Sequence, residues 1–572
     1  MLRTHTCGDL RQKDAGRKAT LAGWVHSVRI MGRKAFIDMR DRYGITQVVM
    51  DEALKSVFSE LTRESVLMVS GKVAKRKEVN PKLDTGDIEV LAETAVVLSK
   101  AEPLPFEIFN QDIHTTEETR LKHRFLDLRR SDMQHLMELR FKAATTVRTY
   151  CASKGFIEIE TPYMGRPTPE GSRDFLISSR TFPKHFWALQ QSPQIYKQLL
   201  MVAGLDKYFQ VVRCFRDEDL RADRQYEFTQ LDFEMSFVND EDVMKFTEGM
   251  VAMLYAQLLG IKLTRPFSVM QWSEALDRYG SDKPDRRFGM ELLDLTDLLK
   301  KSGFQAFETA GDAGGVVKAV LYPDRVGKKD LDRFNRIAKE QGFPGVAWVL
   351  VEDGKMGGGI SKHITSAESD LVKLGNGTLF ILAGEKQKVN ETLGSMRLLG
   401  GELKGLRKGT DLVWVVNFPL FEWGEEIKNI QPGHHPFTAP KPEFEKFLLE
   451  EHEKSELLSV PSRTFDLVIN GVEVAGGSIR ITDPELQHRI FELLGISRKE
   501  AGRKFGMLLE AFKYGVPPHG GVAFGFDRLL QVMLGRDSIR DVIAFPKSKS
   551  GRALMEDAPN EADKEQLKDL GL

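Results

Sequence analysis

Two segments far apart in the chain constrain its fold more than any other feature. Residues 214–237 read CFRDEDLRADRQYEFTQLDFEMSF, which predicts a strand, a charged loop and a second strand. Residues 520–530 read GGVAFGFDRLL, which predicts a glycine-rich strand that runs into Asp527 and Arg528. Arg216 follows the first strand, so each segment carries an arginine near the end of a strand. A fold for this chain must place both segments and accommodate the long stretch between them.

The length and charge of the chain indicate several domains and no strongly basic character overall. A chain of 572 residues is long enough for about two to four domains, each with its own core. The formal net charge of -1 excludes a polycation. Residues 1–104 carry 18 Lys and Arg against 14 Asp and Glu, and this local excess of positive charge suits an anionic partner.

The cysteines and the amino terminus indicate a soluble protein from a reducing compartment. Cys7, Cys151 and Cys214 lie far apart without a CxxC pair, so the sequence supports neither a disulfide framework nor a zinc cluster. The first 20 residues include Asp9 and Asp14, and no window approaches 18 uninterrupted apolar residues. We therefore expect a cytoplasmic protein with no membrane partner.

The amino-terminal part of the chain predicts a small β-barrel. A turn at 41–44 joins the second strand to the third, and a helical stretch near 52–61 follows the third. The five predicted strands are 20–27, 35–40, 45–50, 66–73 and 87–98. Five strands with a helix after the third is the order of an OB-fold barrel. On this segment alone, another small barrel without a nucleic-acid role is the alternative.

A linker, a helix and a short strand follow the barrel. Pro103 and Pro105 begin the linker, and RFLDLRR at 124–130 leads into a helix that begins at Ser131, where Gln134 fits a capping box. The periodicity places one apolar face on this helix, formed by Met133, Leu136, Ala143, Val147 and Tyr150. Gly155 ends the helix, and residues 156–161 predict a strand that Pro162 stops.

Together these and other motifs resemble one enzyme family. Residues 131–162, 214–237 and 520–530 resemble motifs 1, 2 and 3 of the class II aminoacyl-tRNA synthetases. The resemblance narrows to the bacterial-type aspartyl-tRNA synthetases through four further segments: TPEGSRDF (168–175), QSPQIYKQLL (191–200), GHHPFT (433–438) and NGVEVAGGSIR (470–480). It runs from residue 1 to the tail.

The resemblance implies an α+β multidomain protein. Residues 1–104 would form an OB-fold anticodon-binding domain, and 105–130 a linker or hinge. Residues 131–287 and 412–572 would form the class II catalytic domain, an antiparallel sheet flanked by helices. Residues 288–411, where glycine-rich turns become frequent, would form an inserted α+β domain. In the family motif 1 builds a dimer interface, which implies a homodimer.

The resemblance assigns the ATP site to motifs 2 and 3. Activation of a carboxylate by ATP requires positive charge at the α-phosphate and a clamp on the γ-phosphate. Three catalytic residues are expected: Arg216 at the α-phosphate, Glu218 at the adenine edge and Arg528 at the γ-phosphate. Phe228 would stack under the adenine and Gln225 would touch the nucleotide. The other expected ATP contacts are Asp217, Glu473, Gly525, Phe526 and Asp527.

Two carboxylates in DLVINGVEVAGGSIR (466–480) predict a magnesium site. We expect this segment to be a strand from which Glu473 points into the site, with Asp466 to one side of it. Carboxylate oxygens suit Mg²⁺, which would act together with the phosphates of ATP. The glycines at 476 and 477 would allow a ligand to approach the backbone closely. Surface acids on an edge strand are the alternative.

The resemblance also implies an aspartate pocket. Lys197 and Arg480 would hold the aspartate side chain, because a buried carboxylate needs an ammonium or a guanidinium to offset its desolvation. Glu170 would lie on a flipping loop that closes over the substrate amino group. The remaining expected aspartate contacts are Gln194, Arg216, Asp232 and His434, of which the histidine would join when substrate binds.

The barrel would bind the tRNA anticodon. In the family Phe36 would stack on an anticodon base and Gln47 would hydrogen-bond to a base edge. A barrel loop near Met31 bears on the choice between the aspartate and asparagine tRNAs, and an apolar residue there favours strict discrimination.

Several positions depart from the family pattern. Tyr226 stands where proline is usual, Ala475 replaces a common glycine, Val49 replaces a phenylalanine, and Pro432-Gly433 precede His434 where methionine is usual. The tetrapeptide KSKS at 547–550 resembles the lysine loop of class I synthetases, but no HIGH-type element accompanies it. We interpret the tetrapeptide as part of a basic tail.

The sequence therefore predicts an AMP-forming aspartate-tRNA ligase. It would convert L-aspartate and ATP to aspartyl-adenylate and transfer the amino acid to the 3′ end of tRNA(Asp), with tRNA(Asn) left open. A ligase for asparagine or lysine is the nearest alternative. A catalytically silent RNA-binding protein is a second, and a tRNA-independent amide-forming enzyme is a third, although that enzyme would not need the barrel.

Overall fold

The computed structural model describes residues 2–109, 115–167 and 171–571. The chain divides into two compact units, Met1–Met137 and Glu138–Leu572, and each is considered by itself. No helix within the described ranges is long and apolar enough to cross a membrane.

The first unit contains a closed five-stranded barrel. Its elements are β1 Lys18–Met31, β2 Lys34–Asp41, β3 Gly44–Met50, α1 Lys55–Phe58, β4 Val66–Lys75 and β5 Ile88–Ser99. The barrel order is β1-β2-β3-β5-β4, with β3 and β5 parallel. Alternate residues such as Leu21, Ile37 and Val69 point into the core, as the period of a strand requires. The predicted OB-fold order is confirmed.

Two short helices form part of the predicted linker. They are α2 Glu117–Lys122 and α3 Arg124–Asp127, and α4 Ser131–Ser153 follows them. Asp127 is buried and accepts hydrogen bonds from Arg120, Arg124 and Arg130. Burial alone would raise the pKa of Asp127, but these guanidinium groups lower it below its usual value. Part of this stretch is therefore ordered by a charge cluster.

The second unit begins with the elements that carry motif 2. In chain order they are β6 Ile157–Glu158, β7 Met164–Gly165, β8 Leu176–Ser178, β9 Phe186–Leu189, α5 Gln194–Val202, β10 Lys207–Phe215, β11 Glu227–Ser236, α6 Asp240–Leu259, β12 Ser268–Gln271 and α7 Trp272–Tyr279. The predicted strand at 156–161 is wrong in length, because only Ile157 and Glu158 pair with β10.

A second sheet occupies the region between 288 and 411. Its elements are β13 Leu292–Asp294, α8 Thr296–Leu299, α9 Gln305–Asp312, β14 Val316–Tyr322, α10 Lys328–Glu340, β15 Ala347–Glu352, β16 Lys355–Gly357, α11 Glu368–Leu371, β17 Gly377–Gly384 and α12 Lys386–Leu403. The sheet order is β13-β14-β17-β15-β16, and separate apolar clusters pack on its two faces.

The remaining elements return to the main sheet. They are β18 Leu412–Val416, β19 Phe421–Gly424, β20 Asn429–Pro432, α13 Glu445–Leu448, α14 Lys454–Leu457, β21 Thr464–Ile469, β22 Val472–Ile479, α15 Pro484–Leu493, α16 Arg498–Ala511, β23 His519–Gly525, α17 Phe526–Met533 and α18 Lys564–Asp569. The segment expected to be one strand at 466–480 is instead a hairpin, because Asn470 and Gly471 both adopt positive φ and turn the chain.

The main sheet has eight strands in the order β12-β18-β21-β22-β23-β11-β10-β6. Its six central strands, from β18 to β10, are antiparallel, and only the two edge strands pair in parallel. Residues from Thr229 to Ser236 on β11 are all buried, so this strand is covered on both faces. The strands of motifs 2 and 3 are neighbours in this sheet, although they lie far apart in the sequence.

Candidate active site

The strands that carry motifs 2 and 3 line one cavity of about 310 Å³. Its walls include all four cationic residues that the sequence predicts for the site: Arg216, Arg528, Lys197 and Arg480. The other predicted site residues in its walls are Gln194, Glu218, Gln225, Phe228, Asp232, His434, Glu473, Gly525 and Asp527. Glu170 lies outside the described residues.

Strand register sets which side chains reach the cavity. On β11, Gln230, Asp232 and Glu234 alternate with apolar residues and share one face of the sheet. The neighbouring strand β23 places small residues opposite them, so the face stays open. A Cβ atom on Gly521 would lie 2.0 Å from Glu234 Oε2, and only glycine leaves room for that carboxylate.

Two cations and two carboxylates form a buried cluster at one end of the cavity. Lys197 Nζ lies 2.7 Å from Asp232 Oδ1 and 3.2 Å from Glu234 Oε2. Arg480 donates to both oxygens of Glu234, from Nε at 2.9 Å and from Nη2 at 3.0 Å. All four side chains are at most 3% exposed. The formal charges balance, which offsets much of the cost of burying them.

The carboxylates of this cluster differ in their pKa values. Burial raises the pKa of Asp232, and the nearby Lys197 only partly opposes that effect. Burial acts on Glu234 as well, but Arg480 and Lys197 outweigh it and lower its pKa to about 2. Glu234 therefore stays ionised at neutral pH and holds both cations in place.

Two histidines lie beside the cluster. His435 Nε2 is 2.5 Å from Arg480 Nη1, which also donates to Ser478 Oγ at 2.5 Å. The His434 and His435 ring centroids are 4.5 Å apart. Burial, together with the charge on Arg480, lowers the pKa of His434 to about 3. Both rings are therefore neutral at pH 7, and each offers one donor and one acceptor.

The motif 2 end of the cavity contains Arg216 and Phe228. The Arg216 guanidinium carbon lies 5.1 Å from the centroid of the Phe228 ring. The Arg216 backbone donates to the carbonyl of Tyr226 at 2.8 Å, which ties the two ends of the motif 2 loop together. Glu218 accepts a hydrogen bond from Arg224 at 2.7 Å.

Arg528 faces the same cavity from the start of α17. It donates from Nη2 to Asp223 at 3.2 Å and from Nη1 to the backbone oxygen of Glu473 at 3.2 Å. These contacts fix the side chain between the motif 2 loop and β22, in the wall of the cavity that Arg216 also lines.

Several buried polar atoms at this site have no hydrogen-bond partner within the described part of the chain. They are Gln194 Nε2, Arg216 Nε, Asp232 Oδ2 and Asp466 Oδ1. These atoms can hydrogen-bond to a bound ligand without losing a partner within the protein. All four belong to residues that the sequence assigns to ligand binding.

Three predicted ATP contacts have partners within the protein. Asp217 forms an isolated bridge with Arg173 and is absent from the cavity wall. Phe526 is buried beneath the Arg140 guanidinium. Asp527 reaches the wall, but it accepts from the Thr229 backbone at 2.9 Å and from Arg140 at 2.5 Å. The first turn of α17 directs the side chains of Phe526 and Asp527 into the protein.

The predicted magnesium ligands lie on paired strands. Glu473 forms an ion pair with Lys283 at 2.9 Å, and Lys283 lowers its pKa against the raising effect of burial. Burial and the charge on Glu473 raise the pKa of Asp466. The described residues contain no group of three or more metal-binding side chains. Two carboxylates, one with an unpartnered oxygen, nevertheless fit Mg²⁺ that is bound mainly by phosphates.

The predicted anticodon residues lie on β1, β2 and β3 of the barrel, where Gln47 is only 4% exposed. Gln47 donates to Glu89 at 2.8 Å and accepts from Arg76 at 2.9 Å and from Arg29 at 3.3 Å. The Phe36 ring is half-buried on the neighbouring strand, and Met31 is 68% exposed.

The sequence interpretation missed several residues that shape the cavity. Glu234 follows Asp232 by two residues on a strand, so the period of the strand alone could have identified it. His435 adjoins a predicted residue. Asp223 belongs to the motif 2 loop, which the sequence assigns to the ATP site, whereas Lys283 comes from a separate loop that no sequence signal placed here.

The fold and this cavity are those of a class II aminoacyl-tRNA synthetase. The family model described as tRNA synthetases class II (D, K and N) matches residues 116–549, and that of the OB-fold nucleic acid binding domain matches residues 19–98. The chain therefore belongs to the class II tRNA synthetase family for D, K and N. Enzymes of this class use ATP as a substrate.

Curated relatives extend over the whole chain. An aspartate–tRNA(Asp/Asn) ligase of Thermotoga neapolitana is 48% identical and covers 100% of this chain and 99% of the relative. The ligase of the same name from Aquifex aeolicus is 46% identical, and the match covers 99% of this chain and 98% of that protein. An aspartate–tRNA ligase of Phocaeicola vulgatus is 45% identical, and the match covers 100% of this chain and 99% of that protein.

A solved structure shares the fold. Asparaginyl-tRNA synthetase from Pyrococcus horikoshii, complexed with asparaginyl-adenylate, matches with a TM-score of 0.59 at 19% identity. The match covers 96% of this chain and 99% of that chain.

Proposed function

We propose that this protein is an aspartate-tRNA ligase that forms aspartyl-adenylate from L-aspartate and ATP and transfers the amino acid to tRNA in the cytoplasm. The observation that carries the proposal is the shared cavity of Lys197 and Arg480 with Arg216 and Arg528. One cation pair suits a small dicarboxylate and the other suits a triphosphate. The names of the full-length relatives agree with this assignment.

The first half-reaction needs no side-chain nucleophile. An oxygen of the aspartate α-carboxylate attacks the α-phosphorus of ATP, and pyrophosphate leaves. Arg216 stabilises the charge that develops on the α-phosphate, and Arg528 holds the γ-phosphate in line. Phe228 stacks on the adenine, and Glu218 accepts from its amino edge. Catalysis therefore rests on positioning and electrostatics.

In the second half-reaction the adenylate carbonyl is attacked. The terminal ribose hydroxyl of tRNA attacks this carbonyl carbon, and AMP leaves.

Charge and donor geometry favour aspartate over its nearest competitors. Lys197 has three donors, of which one is used on Asp232, and its ammonium lies 3.2 Å from Glu234, so a donor remains for a substrate oxygen. Arg480 donates to Glu234 through Nε and Nη2 and contacts His435 and Ser478 through Nη1, which leaves one Nη2 hydrogen for a substrate oxygen. An asparagine side chain would bring two further donors to this donor-rich wall, and a lysine side chain would bring a like charge. The carboxylate of aspartate accepts from all of these groups.

ATP–pyrophosphate exchange with each amino acid tests the assignment. We expect exchange with L-aspartate that exceeds exchange with L-asparagine or L-lysine by at least about 10³-fold, because an amide NH₂ or an ammonium would meet the donors of Lys197 and Arg480 where a carboxylate oxygen accepts from them. Comparable exchange with asparagine or lysine would identify a sister ligase. A complete lack of exchange would favour a silent RNA-binding protein, although Arg216, Glu473 and Arg528 are all present.

Glu473 and Asp466 are the residues that would hold Mg²⁺ in this enzyme. The ion would neutralise charge on the pyrophosphate as it leaves. The unpartnered Asp466 Oδ1 supports this assignment. Lys283 supplies the positive charge beside Glu473 in the protein alone.

The barrel would bind the anticodon through Phe36 and Gln47, with the loop near Met31 affecting the choice of tRNA. The relatives at 46–48% identity carry the name aspartate–tRNA(Asp/Asn) ligase, whereas the exposed Met31 favours strict discrimination. Aspartylation of purified tRNA(Asp) and tRNA(Asn), assayed separately, decides between the two. Equal charging of both would overturn the expectation from Met31.

The enzyme would act as a homodimer. Exposed apolar side chains on α4, β6 and the small sheet β7-β9-β8 support this proposal, namely Phe141, Ile157, Leu176, Phe186 and Trp187. Light scattering should give twice the mass of the 64.7 kDa chain, and Trp187→Glu should shift the mass towards one chain. A monomeric wild-type protein would refute the proposal.

A further inference from the structure

A carboxy-terminal segment packs against the motif 2 loop. We define the brace as residues 538–551, which includes the KSKS tetrapeptide. Ile539 donates from its backbone to the carbonyl of Ala222 at 3.1 Å, and Ser538 Oγ donates to the same carbonyl at 3.1 Å. The brace therefore contacts the tip of the loop that contains Asp223. The interpretation of KSKS as a basic tail is wrong, because this segment is part of the packed structure.

The brace also holds the returning strand of motif 2. The Gln225 amide donates to the carbonyl of Lys547 at 3.1 Å and accepts from its backbone N–H at 2.7 Å. The Lys547 ammonium forms an ion pair with Glu227, which also accepts from Arg213. Burial would raise the pKa of Glu227, but Lys547 and Arg213 lower it, so the carboxylate stays ionised.

Tyr226 completes the contact. A Cβ atom on Gly551 would lie 2.7 Å from the Tyr226 ring and its hydroxyl, and Gly551 has φ +80°. Only glycine fits beside this ring. Proline is the usual residue at position 226 in the family, and its pyrrolidine ring is too short to reach Gly551. The departure at Tyr226 thus coincides with a contact that ties motif 2 to the brace.

Three consecutive residues that lead into β11, at 225–227, are therefore held from outside the sheet. The Tyr226 carbonyl accepts from the backbone of Arg216, and Phe228 follows Glu227 directly. Any shift of this segment would move both the α-phosphate ligand and the adenine platform. Asp232 and Glu234, at the aspartate end of the cavity, lie further along β11 and are held by Lys197 and Arg480.

We propose that the brace is a positioning element for ATP, in which Lys547 and the Tyr226–Gly551 contact hold motif 2 in the geometry that binds the nucleotide. This inference rests on the proposed function, because it assigns the nucleotide to the Arg216–Phe228 end of the cavity. It adds residues that do not touch ATP but determine its affinity.

Exchange kinetics of Lys547→Met test the proposal in the full-length protein. We expect KM for ATP to rise about tenfold, with KM for aspartate within twofold of wild type. Lys547→Arg should restore the wild-type KM, because it keeps the ion pair with Glu227. Lys549→Met is the matched control, since Lys549 is exposed and two residues away, and it should behave as wild type.

The outcomes separate this proposal from the proposed function. A wild-type protein without aspartate-dependent exchange refutes the function. An active wild type with an unchanged KM for ATP in Lys547→Met, or with equal rises for both substrates, refutes the brace.

A double-mutant cycle tests the proposal without Lys547. Gly551→Ala should raise KM for ATP when Tyr226 is present, because the added methyl group displaces the Tyr226 ring. In a Tyr226→Ala background the ring is absent, so the same substitution should raise KM for ATP less. The strain of alanine at positive φ is the same in both backgrounds and cancels. Equal effects in the two backgrounds would overturn the role of this contact.

Discussion

Glu234 accepts hydrogen bonds from Arg480 through both of its oxygens, at 2.9 Å and 3.0 Å. The same carboxylate lies 3.2 Å from Lys197. Gly521 leaves the space that the carboxylate occupies. The two cations of the proposed aspartate pocket are therefore fixed relative to each other by one residue of β11, before any substrate is present.

Replacement of Glu234 by glutamine should destabilise the protein. The carboxylate has a pKa of about 2 in the folded chain against 4.5 as its ordinary value. A depressed pKa stabilises the fold above about pH 4.5, and the effect is lost as the pH falls towards 2; the shift corresponds to about 3 kcal/mol. We expect Glu234→Gln to lower the thermal midpoint at pH 7.

The pH dependence provides the check on this prediction. The difference in thermal midpoint between wild type and Glu234→Gln should narrow between pH 5 and pH 3. Glu451→Gln, which changes a carboxylate that is 93% exposed, should leave the midpoint unchanged. A difference that stays constant with pH would mean that the charge of Glu234 does not stabilise the fold.

Arg216→Ala should nearly abolish ATP–pyrophosphate exchange. The loss of one preformed donor to a developing charge typically lowers the rate by about 10²–10³-fold. Arg221→Ala removes a neighbouring exposed arginine of the same loop and should leave exchange intact, because only its backbone makes a described contact, to Arg540. Thermal midpoints of both variants should match wild type. Exchange by Arg216→Ala within a few fold of wild type would refute the assigned role.

The sequence predicts some parts of this site well and others not at all. Arg216 and Arg528 could be paired because strand, loop and glycine-rich strand occur in a recognisable order. Asn470-Gly471 is a strong hairpin signal, so the error of one long strand at 466–480 was avoidable. The length of β6 could not be predicted from the sequence, because it depends on where the chain leaves the edge of β10. Asp223 and Lys283 reach the site only through tertiary packing of loops.

Arg480→Lys should weaken aspartate binding despite the conserved charge. The guanidinium contacts Glu234 through two nitrogens and Ser478 through a third, and a single ammonium cannot reproduce this fork. We expect KM for aspartate in the exchange assay to rise at least about 30-fold, with KM for ATP within about threefold. A uniform change in both constants would indicate a general disturbance of the fold instead of a lost substrate contact.

Gln47→Ala should affect tRNA and not adenylate formation. Gln47 is held by Glu89, Arg76 and Arg29 on the barrel, and removal of its amide leaves these charged groups without their neutral partner. We expect KM for tRNA in aspartylation to rise about tenfold, since an edge hydrogen bond contributes on the order of 1–3 kcal/mol. Gln12→Ala, an exposed glutamine of the same unit, is the control. An unchanged KM for tRNA would remove Gln47 from the anticodon site.

Glu473→Gln should raise the concentration of Mg²⁺ that exchange requires. The substitution keeps the shape of the side chain but removes the charge that Lys283 now balances at 2.9 Å. Mg²⁺ prefers carboxylate oxygens, so we expect the half-maximal Mg²⁺ concentration to rise about tenfold. Nucleotide binding followed by calorimetry, with and without Mg²⁺, gives a second readout: the variant should bind ATP alone as well as wild type and lose only the gain that Mg²⁺ adds. Glu425→Gln, an exposed carboxylate paired with Lys428, should show the wild-type dependence. An unaltered requirement for Mg²⁺ in Glu473→Gln would place the ion elsewhere on the phosphates.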